Sequence, residues 1–121
     1  MDTSRKLSVV IPCLNAEATL GDQLAGLAGQ TWAGEWEVIL ADNGSTDGSR
    51  ALAERWRDRI PGLRVVDASG RKGQAHARNV GSAAATGDAL LFVDADDQVA
   101  LGWLEAMARA LSEHEFVACR Y

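Results

Sequence analysis

Ala89-Leu90-Leu91-Phe92-Val93-Asp94-Ala95-Asp96-Asp97 joins an uncharged apolar run to three carboxylates within four residues. Five apolar residues of this kind, followed at once by a polar turn, read as a buried strand with the acids at its carboxyl end. Like charges so close repel, and each resists leaving water unless a cation or hydrogen-bond donors compensate. A divalent metal meets that need: Mg²⁺ and Mn²⁺ take one or two carboxylates and leave the remaining positions to water and a diphosphate. A helix cap ahead of the Leu101 to Leu111 segment accounts for one acid, Asp97, but three exceed what capping requires.

Outward from this stretch the same pattern recurs. Leu7 to Ile11, Val38 to Ala41 and Leu63 to Val66 are short apolar, largely β-branched runs, and the segments between them carry helical spacing. Leu20, Leu24, Leu27 and Ala28 share one face of a first helix, which Asn15 is placed to cap and Glu17 to favour from its first turn. Leu52 and Trp56 anchor a second helix that Pro61-Gly62 ends. An alanine-rich third spans about 74–85, with Thr86-Gly87-Asp88 as its stop. A fourth carries Trp103, Leu104, Met107, Ala108 and Leu111, ahead of a last extended run, Phe116 to Cys119. Alternating strands and helices predict an α/β fold, a Rossmann-like three-layer α/β/α sandwich on a parallel sheet. Ligands in such folds bind beyond the carboxyl ends of the strands. Residues 12–15, 42–47 and 94–97 are expected to meet there.

The 121 residues, 47% hydrophobic, suit one domain with its own core. A net charge of −5 and a pI near 4.9, with ten arginines and two lysines dispersed, exclude a broad nucleic-acid or anionic-membrane surface. The apolar stretch after Lys6 is too short for a signal peptide or a membrane span. A cytoplasmic protein is expected, with attachment to the inner face of a membrane left to the full-length protein. Cys13 and Cys119 lack Cys or His partners at metal or redox spacing and read as buried thiols.

Two further segments carry chemistry. Asp42 and Asn43, at the end of the second run, offer acceptors and donors able to read the edge of a nucleobase, whereas Ser45 to Gly48 read as turn and cap residues. Arg71, Lys72 and Arg78 place cations before and within the first turns of a helix, where the macrodipole disfavours them. A diphosphate held by Arg78 and free N–H groups explains that placement. His76 reads as a structural or surface histidine.

Ser8-Val9-Val10-Ile11-Pro12-Cys13-Leu14-Asn15-Ala16-Glu17, Gln30-Thr31-Trp32, Glu37 to Gly48, Gly73 with Ala77-Arg78-Asn79, and Asp94-Ala95-Asp96-Asp97 together resemble the GT-A glycosyltransferases of family 2. The likeness runs in order from about residue 7 to residue 111. It implies a nucleotide-diphosphate-sugar donor, most often a UDP-sugar, bound with Mn²⁺ or Mg²⁺. It places Pro12, Leu14, Asn15 and Glu17 at the nucleoside, Asp42 and Asn43 at the base, and Arg78 toward the diphosphate. Asp94 would contact the ribose or donor sugar, and Asp96, with Asp97, the metal. Cys13-Leu14 departs from a common aromatic, and Asn43 from the usual second Asp. The acceptor, whether sugar, lipid or protein, is not indicated. In this family the base that deprotonates the acceptor comes from a later segment, so it is expected beyond Tyr121. Residues 1–121 are therefore expected to be a truncated, donor-binding part of a larger domain that binds nucleotide without transferring sugar. An exposed edge on the last strand leads to an expectation of self-association. A non-catalytic nucleotide-binding or interaction module shares every one of these features. A dehydrogenase needs GxGxxG after the first strand, and a nucleotidyltransferase a Gly-rich basic loop there; neither is present. A haloacid-dehalogenase phosphatase carries its DxD on the first strand, not the fourth.

Overall fold

The computed structural model describes residues 5–113. Four strands and four helices alternate: β1 (Leu7–Cys13), α1 (Glu17–Ala28), β2 (Trp36–Asp42), α2 (Ser49–Arg55), β3 (Arg64–Asp67), α3 (Gln74–Ala84), β4 (Ala89–Phe92) and α4 (Trp103–Glu113). The expected run Phe116 to Cys119 lies outside the described residues, and so does Tyr121, beyond which the acceptor's base is expected. All strands are parallel, in the order β3-β2-β1-β4. Central β1 pairs on both sides, Val10 lying between Ile39 of β2 and Phe92 of β4. All seven of its residues are buried, which is why it reads as a continuous apolar run rather than an alternating one.

Alternate residues build two cores. Leu7, Val9 and Ile11 of β1, with Val38 and Leu40 of β2 and Leu91 of β4, pack against Leu20, Leu24 and Leu27 of α1, Ala53 of α2 and Trp103, Leu104 and Ala108 of α4. Each leucine of the α1 stripe is wholly buried, contributing about 2 kcal/mol. The opposite face is thinner: Ala41 and Ala68 meet Ala77 of α3, flanked by Val66 and Val80. Helices therefore cover both faces of the sheet, three on one side and α3 on the other. No described helix is long and apolar enough to cross a membrane.

Small residues let α3 settle close to the strands. A Cβ built on Gly81 would overlap Cγ1 of Val10 and approach Cβ of Ala41 to 3.4 Å. Gly81→Ala is accordingly expected to lift α3 from β1 and to lower stability by about 2 kcal/mol in a denaturant titration. An unchanged midpoint would contradict this packing.

A second buried feature lies at the amino ends of the strands, away from the expected ligand edge. The Glu37 side chain, 4% exposed, accepts hydrogen bonds from Ser8 Oγ (2.6 Å), Arg64 Nη1 (2.5 Å) and the Thr86 N–H (2.7 Å), with Lys6 Nζ 3.8 Å away. Arg64 reaches on to the carbonyl of Ala84 at the end of α3. One carboxylate thus ties together β1, β2, β3 and the α3–β4 turn.

Candidate functional site

The carboxyl ends of β1, β2 and β4 border a cleft of about 810 Å³. One wall is the β1–α1 turn, Pro12 to Ala16, with Thr19 behind it. The β2–α2 turn adds Asn43, Gly44 and Thr46, the approach to α3 adds Lys72, Gly73, Gln74 and Ala77, and the floor beyond β4 is Asp94, Ala95 and Asp96. Of the residues expected here from sequence, Pro12, Leu14, Asn15, Asn43, Asp94 and Asp96 line the cleft. Glu17, Asp42, Arg78 and Asp97 do not.

The first two turns are tied together by a reciprocal clasp. Asn15 Oδ1 accepts from the N–H groups of Thr46 (2.8 Å) and Asp47 (3.3 Å), while the Asn15 N–H donates to Ser45 Oγ at 2.9 Å. The Ala16 N–H donates to Ser49 Oγ, the Glu17 N–H to Asp47 Oδ2, and Glu17 Oε1 accepts from the Gly48 N–H. Asn15 therefore does not cap α1. It sits at φ 50°, a left-handed geometry that asparagine tolerates better than most residues, and Ala16 occupies the cap position with no side-chain bond of its own. Glu17 does open the first turn of α1 as expected, but its carboxylate serves the neighbouring turn rather than the cleft. Bonds from the Ser49 hydroxyl and N–H and from the Glu17 N–H hold the Asp47 carboxyl below the usual carboxylate range.

Below this clasp, Asp42 is 1% exposed. Its two oxygens accept long bonds from the Ser45 N–H, each 3.3 Å, and Arg50 Nε stands 3.7 Å away. The carboxylate is part of the turn's foundation and does not line the cleft. The Cys13 thiol beside it is pushed up, chiefly by burial. Asn43 is committed in another way. Its Nδ2 donates to the carbonyls of Ala68 (2.8 Å) and Arg71 (2.9 Å), and its Oδ1 accepts from the Gly73 N–H (3.0 Å). Both amide donors are spent on shaping the 68–73 loop, so only one acceptor lone pair is left for a base edge.

That loop delivers α3 to the cleft. Gly73, at φ 122°, takes a backbone turn few other residues accept, and α3 starts at Gln74 without a side-chain cap. With Lys72 beside it, this helix end offers positive potential to an anion. Arg78, half-buried one residue past Ala77, lies outside the lining, and Lys72 and Gln74 stand where it was expected. Gln74 was not singled out from sequence; its place as the first residue after a loop glycine was the available signal.

Across the cleft, Asp94 Oδ1 accepts from Gln74 Nε2 at 3.3 Å, so the acids and the amino end of α3 adjoin. Asp96 is exposed and lines the same space. Asp97 turns to its own backbone, accepting from the Gln98 N–H at 2.8 Å. It caps no helix: α4 begins at Trp103, after Gly102 at φ 79°. Leu101 is 86% exposed and precedes the helix. The described residues contain no group of three or more acidic, histidine or cysteine side chains able to enclose a metal by themselves. Two cleft carboxylates do fit Mg²⁺ or Mn²⁺, ions that usually leave the other positions to water and phosphate oxygens.

Comparison with known proteins bears on this geometry. The model of the family described as glycosyl transferase family 2 matches residues 8–121. The chain is 38% identical over 99 residues to the uncharacterized glycosyltransferase YibD of Escherichia coli (strain K12), covering 82% of this chain and 28% of YibD. Among solved structures, S. aureus TarS in complex with UDP superposes with a TM-score of 0.83 at 33% identity, over 91% of this chain and 33% of that one. The mannosyltransferase PcManGT from Pyrobaculum calidifontis, in complex with GDP-Man and Mn²⁺, gives 0.71 at 28% identity, over 78% of this chain and 28% of that one. The chain thus spans about a third or less of these proteins.

Proposed function

Since the chain belongs to glycosyl transferase family 2, as the match over residues 8–121 establishes, we propose that its cleft takes the nucleoside diphosphate of a sugar donor, with a UDP-sugar as first candidate. UDP in the complex of TarS supports that choice. The observation that carries the reading is the 3.3 Å contact between Gln74 and Asp94, which brings carboxylates and a cationic helix end to one cleft. Left to themselves, acids there would repel a diphosphate. A divalent cation between them reverses the sign of the interaction.

Asp96 would hold that cation, with Asp94 beside it toward the donor. The Mn²⁺ of the PcManGT complex supports the choice of ion. The cation supplies neutralisation of the charge that develops on the departing diphosphate. The amino end of α3 and Lys72 face the same anion, while the clasped turns, with Pro12, Leu14 and Asn15, form the wall where the nucleoside would lie. Deprotonation of an acceptor hydroxyl needs a further base. Among the described residues the cleft has only two carboxylates, both assigned to the donor side. We therefore assign donor binding to this chain, and transfer to an unidentified sugar, lipid or protein acceptor to the whole protein.

Calorimetric titration of the chain with UDP tests this directly. One saturable site is expected, at least about tenfold tighter with Mn²⁺ than with a chelator. Uridine, which lacks the diphosphate, should gain nothing from the metal. UDP affinity indifferent to Mn²⁺ and Mg²⁺ would overturn the reading.

A further inference from the structure

We propose that Gln23 is a positioning residue for the metal-holding carboxylates, acting through the backbone of the loop that carries them; this rests on the metal reading above. Gln23 is the one fully buried amide side chain among the described residues of α1. It does not itself line the cleft. Its Nε2 donates to the carbonyl of Asp94 at 2.8 Å, and its Oε1 accepts from the N–H of Val99 at 3.0 Å. Those two backbone groups flank Asp96 and Asp97, so a single amide spans the base of the acidic loop.

Other contacts on the same stripe of α1 agree with this role. One turn earlier, Thr19 Oγ1 donates to the carbonyl of Ala95 at 3.2 Å. Near the other end, Gly26 leaves room for the loop: a Cβ there would stand 2.9 Å from the carbonyl oxygen of Val99. Residues 19, 23 and 26 follow helical spacing and face the loop, whereas Leu20, Leu24 and Leu27 face the core. Gln30 makes a comparable pair of bonds farther along, donating to the carbonyl of Ala100 and accepting from the Leu104 N–H, beyond the acids.

An outer residue that orients metal ligands typically controls affinity by 10- to 100-fold, and its contribution disappears when the ligands are free to move. Replacing Gln23 by Leu keeps the bulk but removes both bonds, leaving the Val99 N–H without its acceptor and the Asp94 carbonyl with only the long, 3.4 Å bond from the Asp97 N–H. From α1 the acidic loop then keeps only the bond from Thr19 to the Ala95 carbonyl, and is less firmly held.

The test compares Gln23→Leu with Gln30→Leu, measuring Mn²⁺ uptake in the presence of UDP by the loss of the free-ion spin resonance signal, and metal-free UDP affinity by calorimetry. Hydrogen exchange at Val99 reports the loop itself. Gln23→Leu is expected to weaken Mn²⁺ binding about tenfold, to accelerate exchange at Val99, and to leave metal-free UDP affinity within about twofold. Gln30→Leu is expected to cost stability and leave Mn²⁺ affinity in place. Wild-type Mn²⁺ uptake with an unchanged value in Gln23→Leu overturns the proposal alone, as does an equal loss in both variants. Absence of uptake in the wild type overturns the metal reading and this proposal with it. Should Gln23→Leu fail to fold, Gln23→Glu carries the same comparison, since it keeps an acceptor for Val99 and loses the donor to Asp94.

Discussion

Asp96→Asn is expected to remove the metal-dependent part of nucleotide binding, weakening UDP affinity in saturating Mn²⁺ by at least about tenfold, to the level measured with a chelator. The change is confined to the cleft: Asp96 is exposed and no described residue bonds its carboxylate, so stability should stay within about 0.5 kcal/mol of wild type. An asparagine keeps the shape and one carbonyl oxygen but not the charge that a hard cation requires. Asp97→Asn supplies the contrast. Its carboxylate does not line the cleft and binds the adjacent Gln98 N–H, so UDP affinity with Mn²⁺ should change by less than about threefold. Parallel calorimetric titrations and thermal melts of both variants decide the matter. Equal losses in the two would return Asp97 to the metal, and no loss in Asp96→Asn would remove the metal from this loop.

Glu37→Ala should be the most destabilising single change at the other end of the strands, by about 3 kcal/mol. Truncation leaves Arg64 Nη1, Ser8 Oγ and the Thr86 N–H without an acceptor in a nearly closed site. Nucleotide binding should survive, because none of these groups lines the donor cleft. The same carboxylate sets a pH dependence. Burial pushes its pKa up, but bonds from Ser8, Arg64 and Thr86 outweigh that and hold it at about 2, against an ordinary 4.5. A depressed folded-state value means the unfolded chain takes up the proton first. The stabilisation is therefore complete above about pH 4.5 and is lost as pH falls from there through about 2, a difference on the order of 3 kcal/mol. Denaturant titrations at several pH values should show the wild type losing stability more steeply than Glu37→Ala across that window. Parallel curves for the two would mean that the network contributes no such linkage.

The element order and the sheet were readable because their signals are local. Apolar runs at 7–11, 38–41, 63–66 and 89–93 correspond to β1, β2, β3 and β4 to within a few residues, and the α1 stripe of Leu20, Leu24 and Leu27 faces the core as its spacing requires. Strand order then brings three turns to one edge, which is why Pro12, Asn15, Asn43, Asp94 and Asp96 could be named together. What could not be read was the division of labour among polar side chains at that edge. Asn15 looks like a helix cap, yet its partners are Thr46 and Asp47, about thirty residues away, in a turn whose approach only the folded sheet defines. Asn43 looks free to meet a base until Ala68, Arg71 and Gly73 close around it. Arg78 falls in the first turns of α3, and only the roll of that helix against β1 and β2 shows that Ala77 takes the inward position. Gln23 reads as one more polar residue on an amphipathic helix. Its partners lie more than seventy residues on, and no spacing rule connects them.

In the proposed reading, Asp96 and Asp94 would hold a divalent cation against a nucleoside diphosphate in this cleft. Mn²⁺ makes that claim directly observable, because it broadens nearby amide resonances by its unpaired electrons. In a ¹⁵N-labelled sample saturated with UDP, substoichiometric Mn²⁺ should erase the signals of Asp94 to Gln98 and of Gly73 to Ala75, and spare Glu37 and Thr86 at the opposite end of the strands. Broadening centred elsewhere, or spread evenly over the chain's acidic residues, would contradict it.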